Sequence, residues 1–187
     1  MINIIKFLFE LGNAKRVKRS GWWLAGIKDP ESIAEHMWRA TILGNLIAEE
    51  EGANTSKVMK MLLFHDIPEI RLNDTHKVGA RYMNTKEAEH KALEEQIQDL
   101  FSTLKNEIMQ LWKEMHELKT KEAIVAKDAD LLECAFQAKE YQDQGYTCCQ
   151  DWINNVRKKL QTKTAKQLLS LLEKNSSTSW WNGLKKI

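Results

Sequence analysis

Apolar residues along this chain recur at intervals of three and four, and strict alternation of apolar and polar residues over five or more positions is hard to find. A period near 3.6 is typical of helices that bury one face, whereas half-buried strands alternate with a period of two. The pattern predicts helices over about residues 2–13, 33–51, 55–67, 84–101, 104–118, 120–144, 149–160 and 164–174. The sequence therefore predicts an all-α fold.

Local signals mark the ends of two of these helices. Ser32 is followed three residues later by Glu35, which is the spacing of a capping box, and Gly52 follows the last residue of the helix that this box opens. Pro68 prevents the next helix from continuing, because proline lacks an N–H group and clashes with the preceding turn. The pair His65–Asp66 is therefore expected at a helix C-terminus.

The composition favours one globular domain over residues 1–187. The length exceeds the roughly 150 residues of a typical domain only slightly. Apolar residues make up 43% and charged residues 29%, with 8 Gly and 2 Pro, so a disordered chain or a collagen-like repeat is excluded. The net charge of +2 gives no reason to expect a nucleic-acid or membrane partner.

The N-terminal segment and the cysteines predict a cytoplasmic protein. The apolar stretch Ile2–Leu11 is too short and too charged to span a bilayer, and it lacks the features of a signal peptide. The three cysteines are odd in number and include the neighbours Cys148 and Cys149. Such a set suits free thiols in a reducing compartment better than a disulfide framework.

A small group of histidine and aspartate residues is the candidate chemical site. His36, His65, Asp66 and Asp130 fall on three predicted helices, within or beside apolar runs. An unpaired carboxylate is costly to bury, and a shared metal ion would remove that cost. Imidazole and carboxylate groups are ligands of divalent transition metals, and packed helices can bring them to one point. Asp128 competes with Asp130 for the inward position, and the neighbouring apolar residues favour Asp130.

Four segments carry a resemblance to a known family. They are Pro30–His36, Leu63–Glu69, Asn73–Asp74 and Ala126–Asp130. Together they resemble the H…HD…D pattern of the HD-domain metal-dependent phosphohydrolases, and they are most similar to the 5′-deoxynucleotidases. The resemblance implies an HD-domain helical bundle with its core at about residues 18–143, on which the C-terminal helices of residues 149–174 and a tail with Trp180 and Trp181 pack.

The resemblance also implies the metal and its ligands. His36, His65, Asp66 and Asp130 match the family's ligand positions. They would hold one divalent ion, which the ligand types do not identify: Co, Mn, Zn, Ni and Fe all suit such a set, and Mg is a further candidate.

Three further residues match positions with roles in the reaction. Glu69 matches the catalytic carboxylate, Asp74 matches a second acid near the leaving group, and Arg19 matches an arginine that contacts the phosphate. Each also has an ordinary structural interpretation. Glu69 would be a solvated acid after a proline, Asp74 a turn residue, and Arg19 part of a solvated basic loop.

The chain departs from the subfamily pattern at two places. Ser20 replaces the aromatic residue that follows the arginine and excludes a ribose 2′-hydroxyl, and Trp22 is then either a substrate contact or a packing residue. The lysine-bearing segment after the second acid is also altered, so Lys77 or Arg81 is expected to supply its cation.

The resemblance implies a metal-dependent phosphomonoesterase that converts (deoxy)nucleoside 5′-monophosphates to nucleoside and phosphate. Two alternatives stay open: an HD phosphohydrolase that acts on a nucleoside triphosphate or a cyclic nucleotide, and a non-enzymatic helical binding protein that keeps the metal for stability. The seven tryptophans and the charged-apolar helices between residues 85 and 118 favour a homo-oligomer, with a dimer expected from the resemblance.

Overall fold

The computed structural model describes residues 2–184. The single domain predicted over residues 1–187 also includes residues 1 and 185–187, which lie outside the described residues. Residues 2–184 form α-helices and four short 3₁₀ helices and contain no β-strand, which confirms the all-α prediction there. The α-helices are α1 (Ile2–Leu11), α2 (Ile33–Glu51), α3 (Thr55–Phe64), α4 (Glu69–Leu72), α5 (Lys77–Ala80), α6 (Thr85–Ile97), α7 (Ser102–Glu117), α8 (Lys121–Asp143), α9 (Gln150–Arg157) and α10 (Lys163–Lys174). The 3₁₀ helices are Gly12–Lys15, Ser20–Ala25, Thr147–Cys149 and Ser179–Trp181.

The predicted boundaries of α2 and the predicted start of α3 are confirmed, whereas α3 ends at Phe64, three residues before the predicted end at residue 67. Ser32 Oγ accepts a hydrogen bond from the backbone N–H of Glu35 at 3.3 Å, and the Glu35 carboxylate accepts one from the backbone N–H of Ser32 at 2.5 Å. Gly52 ends α2 with a φ of +64°, a left-handed conformation that glycine adopts without strain. His65 is the residue that follows the last turn of α3, so the His65–Asp66 pair does lie at a helix end.

Two segments that were expected to be irregular contain short helices. The polar connection after Pro68 holds α4 and α5, and the basic loop after α1 ends in the 3₁₀ helix Ser20–Ala25. Pro68 precedes α4 because its fixed φ suits the start of a helix even though it ends the previous one. His76 caps α5, since its Nδ1 accepts a hydrogen bond from the backbone N–H of Gly79 at 3.1 Å.

Helix α8 is the centre of the fold and packs against α2, α3, α7, α9 and α10. Small residues allow these helices to approach closely, among them Ala126 and Ala129 on α8 and Gly44 on α2. A Cβ atom added at Gly44 would lie 2.1 Å from Leu62 Cδ1 on α3, closer than two carbon atoms can come. Close packing of α2, α3 and α8 therefore brings together the three helices that carry the candidate ligands.

A second apolar cluster supports the segment that follows α3. It lies between α1, α6 and α7 and includes Phe7, Leu93, Ile97 and Trp112. Ile67 belongs to this cluster and is 1% exposed. Because Ile67 follows Asp66 directly, its burial fixes the backbone from which Asp66 projects.

Asp128 has a structural role, which removes it as a rival of Asp130. Its side chain is fully buried and points to the start of α10. The carboxylate accepts hydrogen bonds from the backbone N–H groups of Gln161 and Thr162, at 3.0 and 2.6 Å, and from the Thr162 hydroxyl at 2.7 Å. It thereby joins α8 to the C-terminal helices.

The tail after α10 is tied to α8 by hydrogen bonds, since the backbone N–H of Ser177 donates to Asp143 at 2.7 Å. Trp180 is 70% exposed and Trp181 is 48% exposed. Among the residues that the structure covers, no helix has the length and apolar character needed to cross a bilayer.

We expect the substitution Asp128→Ala to lower the free energy of unfolding by about 2–4 kcal/mol, because it removes a fully buried carboxylate that accepts hydrogen bonds from two backbone N–H groups and the Thr162 hydroxyl. Urea unfolding followed by circular dichroism would measure the change. Asp143→Ala is the matched control, since Asp143 lies on the same helix and accepts similar bonds at an exposed site. An equal decrease in the free energy of unfolding for the two variants would contradict the role of Asp128 in joining α8 to α10.

Candidate functional site

Two imidazoles and two carboxylates from three parts of the chain meet at one point. His36 Nε2 lies 3.6 Å from Asp66 Oδ2 and 3.2 Å from Asp130 Oδ1. His65 Nε2 lies 3.2 Å from Asp66 Oδ2 and 3.8 Å from Asp130 Oδ1. The structure thus brings together all four residues that the sequence analysis selected as candidate ligands.

The helices explain this convergence. His36 lies on the buried stripe of α2 between Ile33 and Ala40, and it is itself fully buried. Adjacent residues of a continuous helix point about 100° apart. His65 and Asp66 escape this limit because α3 ends before them. Asp130 projects from the central helix α8.

The Nδ1 atom of each histidine is anchored, which leaves Nε2 facing the cluster. His65 Nδ1 donates to the backbone carbonyl of Leu62 at 2.8 Å. His36 Nδ1 donates to the carboxylate of Glu133 on α8. An imidazole whose Nδ1 carries the proton has a free lone pair on Nε2. Both Nε2 atoms are buried and lack a hydrogen-bond partner among the described residues.

These features fit a divalent metal ion. Nitrogen and oxygen donors bound to one ion at about 2.0–2.2 Å lie roughly 3 to 3.5 Å from one another, close to the separations found here. The donor atoms of His36, His65 and Asp66 all lie within 4.8 Å of one another. Two buried Nε2 atoms without hydrogen-bond partners would be costly unless a ligand occupied the space between them. The residues present can therefore hold a divalent metal.

A second group of acids lies on the other side of His36 and is already satisfied by the protein. Glu31 and Glu133 both approach this imidazole. Glu31 accepts a hydrogen bond from Trp22 Nε1 at 2.9 Å, and Glu133 accepts one from Arg39 Nε at 2.9 Å. Burial, together with the neighbouring Glu133, raises the pKa of Glu31 to about 7. These hydrogen bonds stabilise both buried carboxylates, so their burial does not require a second metal ion.

Arg19 lies beside the four-residue cluster. Its NH1 group is 3.3 Å from Asp66 Oδ2, and its Nε is 3.6 Å from Glu31 Oε1. Burial favours a lower pKa for the guanidinium, but Asp66 and Glu31 outweigh burial and raise its pKa well above the usual value. The basic loop thus carries one largely buried cation, with a side chain 17% exposed, in addition to its solvated charges.

Glu69 is the first residue of α4 and faces the same region. One of its carboxylate oxygens, Oε2, is buried without a hydrogen-bond partner among the described residues. Burial, followed by the charges of Asp66 and Asp74, raises the pKa of Glu69 well above that of an exposed glutamate. An acid in such surroundings holds a proton more tightly than it would in water.

Asp74 is held against the basic loop by Ser20. The backbone N–H of Ser20 donates to Asp74 Oδ2 at 2.5 Å, and the Ser20 hydroxyl donates to the Asp74 carbonyl at 2.9 Å. Asn73, just before, has a φ of +63° and a ψ of 155°, a region that residues other than glycine rarely adopt. The strained backbone and the hydrogen bonds together determine where the Asp74 carboxylate points.

The remaining candidate residues occupy different surroundings. Trp22 is only 2% exposed, and its ring stacks on Trp152 with centroids 5.4 Å apart, so most of it serves packing. Lys77 is exposed at the start of α5 and lines a cavity that Asp74 also lines. Arg81 is exposed after α5 and lines neither of the two cavities described below.

Sequence reasoning missed Glu133 and Ser20. Glu133 follows Asp130 by one helical turn, so both share one face of α8, and an acid in that alanine-rich segment was a signal that could have been used. Nothing local distinguishes Ser20, because its partners lie 54 residues further along the chain.

Two cavities adjoin the cluster. The Glu69 cavity has a volume of about 260 Å³ and is lined by His65, Asp66, Glu69, Glu89, His116 and Lys127, among others. The α9 cavity has a volume of about 320 Å³ and is lined by Arg19, Asp74, Lys77, Trp152, Asn155 and Lys159, among others. Arg19 connects them, because it lines the α9 cavity and also contacts Asp66.

Comparisons with known proteins show the family to which the chain is similar. Residues 11–172 match the HD domain family. The 5′-deoxynucleotidase HDDC2 of Dictyostelium discoideum is 31% identical over 189 residues, which cover 92% of this chain and 98% of that protein. The human 5′-deoxynucleotidase HDDC2 is 28% identical, over 95% of this chain and 88% of the human protein.

Solved structures share the fold. A conserved hypothetical protein from Pyrococcus furiosus superposes with a TM-score of 0.76 at 26% identity, over 91% of this chain and 99% of that one. A predicted metal-dependent phosphohydrolase from Magnetospirillum magnetotacticum has the same fold, with a TM-score of 0.71 at 23% identity, over 92% of this chain and 90% of that one. The chain therefore belongs to the HD-domain phosphohydrolases, close to the 5′-deoxynucleotidases.

Proposed function

We propose that the protein is a metal-dependent phosphomonoesterase that hydrolyses (deoxy)nucleoside 5′-monophosphates to nucleoside and phosphate. The observation that carries this proposal is the meeting of four donor side chains beside a buried arginine and two further acids. The sequence similarity to 5′-deoxynucleotidases supports the choice of substrate.

The proposed ligands of the metal are His36 Nε2, His65 Nε2 and the carboxylates of Asp66 and Asp130. We propose one ion of a divalent transition metal, since mixed imidazole and carboxylate donors suit such ions better than Mg²⁺. When bound, the metal would act as a Lewis acid that neutralises charge on the phosphoryl oxygens and acidifies water.

The protein side chains supply substrate positioning and proton transfer. The Arg19 guanidinium would bind the phosphate through its remaining N–H groups, because guanidinium geometry matches two phosphoryl oxygens. Glu69 would accept a proton from the attacking water, since its carboxylate lines the cavity beside the four candidate ligands. Asp74 would give a proton to the 5′ oxygen of the sugar while the bond from phosphorus to that oxygen breaks.

Glu133 would act as a positioning residue for the metal site. It accepts the Nδ1 proton of His36, and it is itself held by Arg39 through Nε and NH2, at 2.9 and 2.8 Å from Oε1. A carboxylate behind a ligating histidine fixes the orientation of the ring and increases its basicity.

We also propose that the protein acts in the cytoplasm. Burial raises the pKa of the Cys134 thiol to about 12 and that of the Cys149 thiol to about 11. Both are free thiols with little thiolate at neutral pH, as expected for packing residues. Cysteines without a disulfide framework suit a reducing compartment.

A dimer is the oligomeric state that we propose. Trp38, Ile42 and Leu46 recur every four residues along α2 and are 69%, 43% and 54% exposed. This α2 apolar stripe would bury well against the same stripe of a second copy, since a twofold interface is self-complementary.

Replacing Glu69 with glutamine should lower kcat for deoxynucleoside monophosphates by about 10²-fold or more, because the amide cannot accept a proton. Phosphate release gives kcat, and elemental analysis should show an unchanged metal content. Glu89→Gln is the control, since Glu89 lines the same cavity without a role in the proposed chemistry. Loss of the metal in Glu69→Gln would show that Glu69 serves the structure of the site instead.

Replacing Glu133 with glutamine should weaken metal binding by about 10- to 100-fold, as expected when the partner of a ligating histidine is altered. Calorimetric titration of the metal-free protein with Co²⁺ or Zn²⁺ would measure this. Glu140→Gln is matched to it, because Glu140 also pairs with Arg39, at 2.5 Å, without contacting His36. If the two variants bound metal equally well, Glu133 would have no positioning role.

The substitution Trp38→Glu should convert the proposed dimer to a monomer, because it buries a charge in the α2 apolar stripe. Light scattering after size-exclusion chromatography gives the mass. Trp180→Glu serves as the control, since Trp180 is equally exposed but lies in the tail. A monomeric mass for the unmodified protein would refute the dimer.

A further inference from the structure

We propose that the α9 cavity binds the nucleoside part of the substrate, and that Asn155 on α9 reads the edge of the base. This inference rests on the proposed function for the identity of the ligand. It assigns substrate recognition to a helix that carries none of the residues of the H…HD…D pattern.

The position of the two proton-transfer groups selects this cavity. In-line displacement at phosphorus places the attacking and the departing oxygen on opposite sides of the phosphoryl group. Glu69, the proposed acceptor of the water proton, lines the Glu69 cavity, whereas Asp74, the proposed donor to the departing oxygen, lines the α9 cavity and a cavity beside Trp23. Of these last two, only the α9 cavity is also lined by Arg19, the proposed phosphate contact. The sugar and the base should therefore extend into the α9 cavity, and water should enter through the Glu69 cavity.

The walls of the α9 cavity suit a nucleoside. Its volume of about 320 Å³ lies within the usual range for small-molecule sites, which are mostly apolar with a few polar groups. Leu24, Leu131, Val156 and the indole of Trp152 supply apolar surface. The Glu69 cavity is smaller and carries the acids Glu69 and Glu89 beside the cluster, so it offers less to a base.

Two lysines stand on the same wall. Lys77 comes from α5 and Lys159 from the end of α9, and both line the cavity. Their charges interact, since Lys77 lowers the pKa of Lys159. With Arg19, these cations outnumber the acids Asp74 and Asp151 in the lining of the cavity, which favours a ligand with negative charge, such as a nucleotide, over a neutral one.

Asn155 is the group best placed to distinguish bases. Its side chain is exposed to the cavity and forms no hydrogen bond with any residue between 2 and 184. An amide donates and accepts at once, which matches the paired donor and acceptor on the edge of a base. The neighbouring Asn154 differs, because its Oδ1 already accepts bonds from Gln150 and Arg157 at 3.2 and 3.1 Å.

The first test compares Asn155→Ala with Asn154→Ala in the metal-loaded enzyme. The kcat/KM values for the four deoxynucleoside 5′-monophosphates would be measured for each. Asn155→Ala should change the ratio between the best and the poorest base by about tenfold, the effect of one lost hydrogen bond to a substrate. Asn154→Ala should leave that ratio within about twofold. Unchanged ratios in both variants would overturn the role of Asn155.

The second test needs no turnover. The four 2′-deoxynucleosides, which lack phosphate, would be titrated into the ¹⁵N-labelled protein while the indole N–H signals of its tryptophans are recorded. The signal of Trp152, assigned from Trp152→Phe, should move. Trp112 packs on His116 at the Glu69 cavity, with ring centroids 3.9 Å apart. Movement of the Trp112 signal instead, or no movement at saturating nucleoside, would overturn the assignment of the cavity.

These tests separate the two proposals. If no monophosphate is hydrolysed but the Trp152 signal moves, the proposed function fails and the nucleoside cavity stands. If phosphate is released while the base ratios and the Trp152 signal stay unchanged, the function stands and the cavity assignment fails.

Discussion

The structure depends on the burial of charge around two imidazoles. An ionised carboxylate removed from water costs several kcal/mol unless it is paired and hydrogen-bonded. Here Asp66 and Asp130 face His36 and His65 in the interior, and Glu133 lies behind His36. The free-energy cost of burying each charged group is offset only by its interactions with the other members of the cluster. The cluster therefore requires α2, α3 and α8 to be positioned together.

Packing satisfies that requirement. Gly44 and the alanines of α8 permit close approach of the helices, while the end of α3 at Phe64 frees His65 and Asp66 to point to one place. Hydrogen bonds to each Nδ1 then select which nitrogen faces the cluster. Residues of ordinary core character thus determine the geometry of a polar site, and the apolar contacts around the candidate metal site make it rigid.

The segments around the cluster position the other candidate residues and line the adjoining cavity. The loop before α2 supplies Arg19 and, through Ser20, fixes Asp74 in a neighbouring loop. Asp128 joins the start of α10 to α8, and α9 closes one side of the α9 cavity. We therefore propose that the chemistry lies within the HD core, and that recognition of the rest of the substrate falls to elements that can vary without disturbing the proposed metal ligands.

The sequence by itself determined the helical class, the boundaries of α2, the start of α3 and the group of His36, His65, Asp66 and Asp130, because periodicity, caps and spacing are local signals. Tertiary structure alone decided that Asp128 faces α10, that Trp22 packs against Trp152, and that Glu133 and Ser20 support the site. The physical reason is that these roles depend on partners from other helices and loops. No pattern along the chain encodes such a contact, because it arises only when packing brings distant segments together.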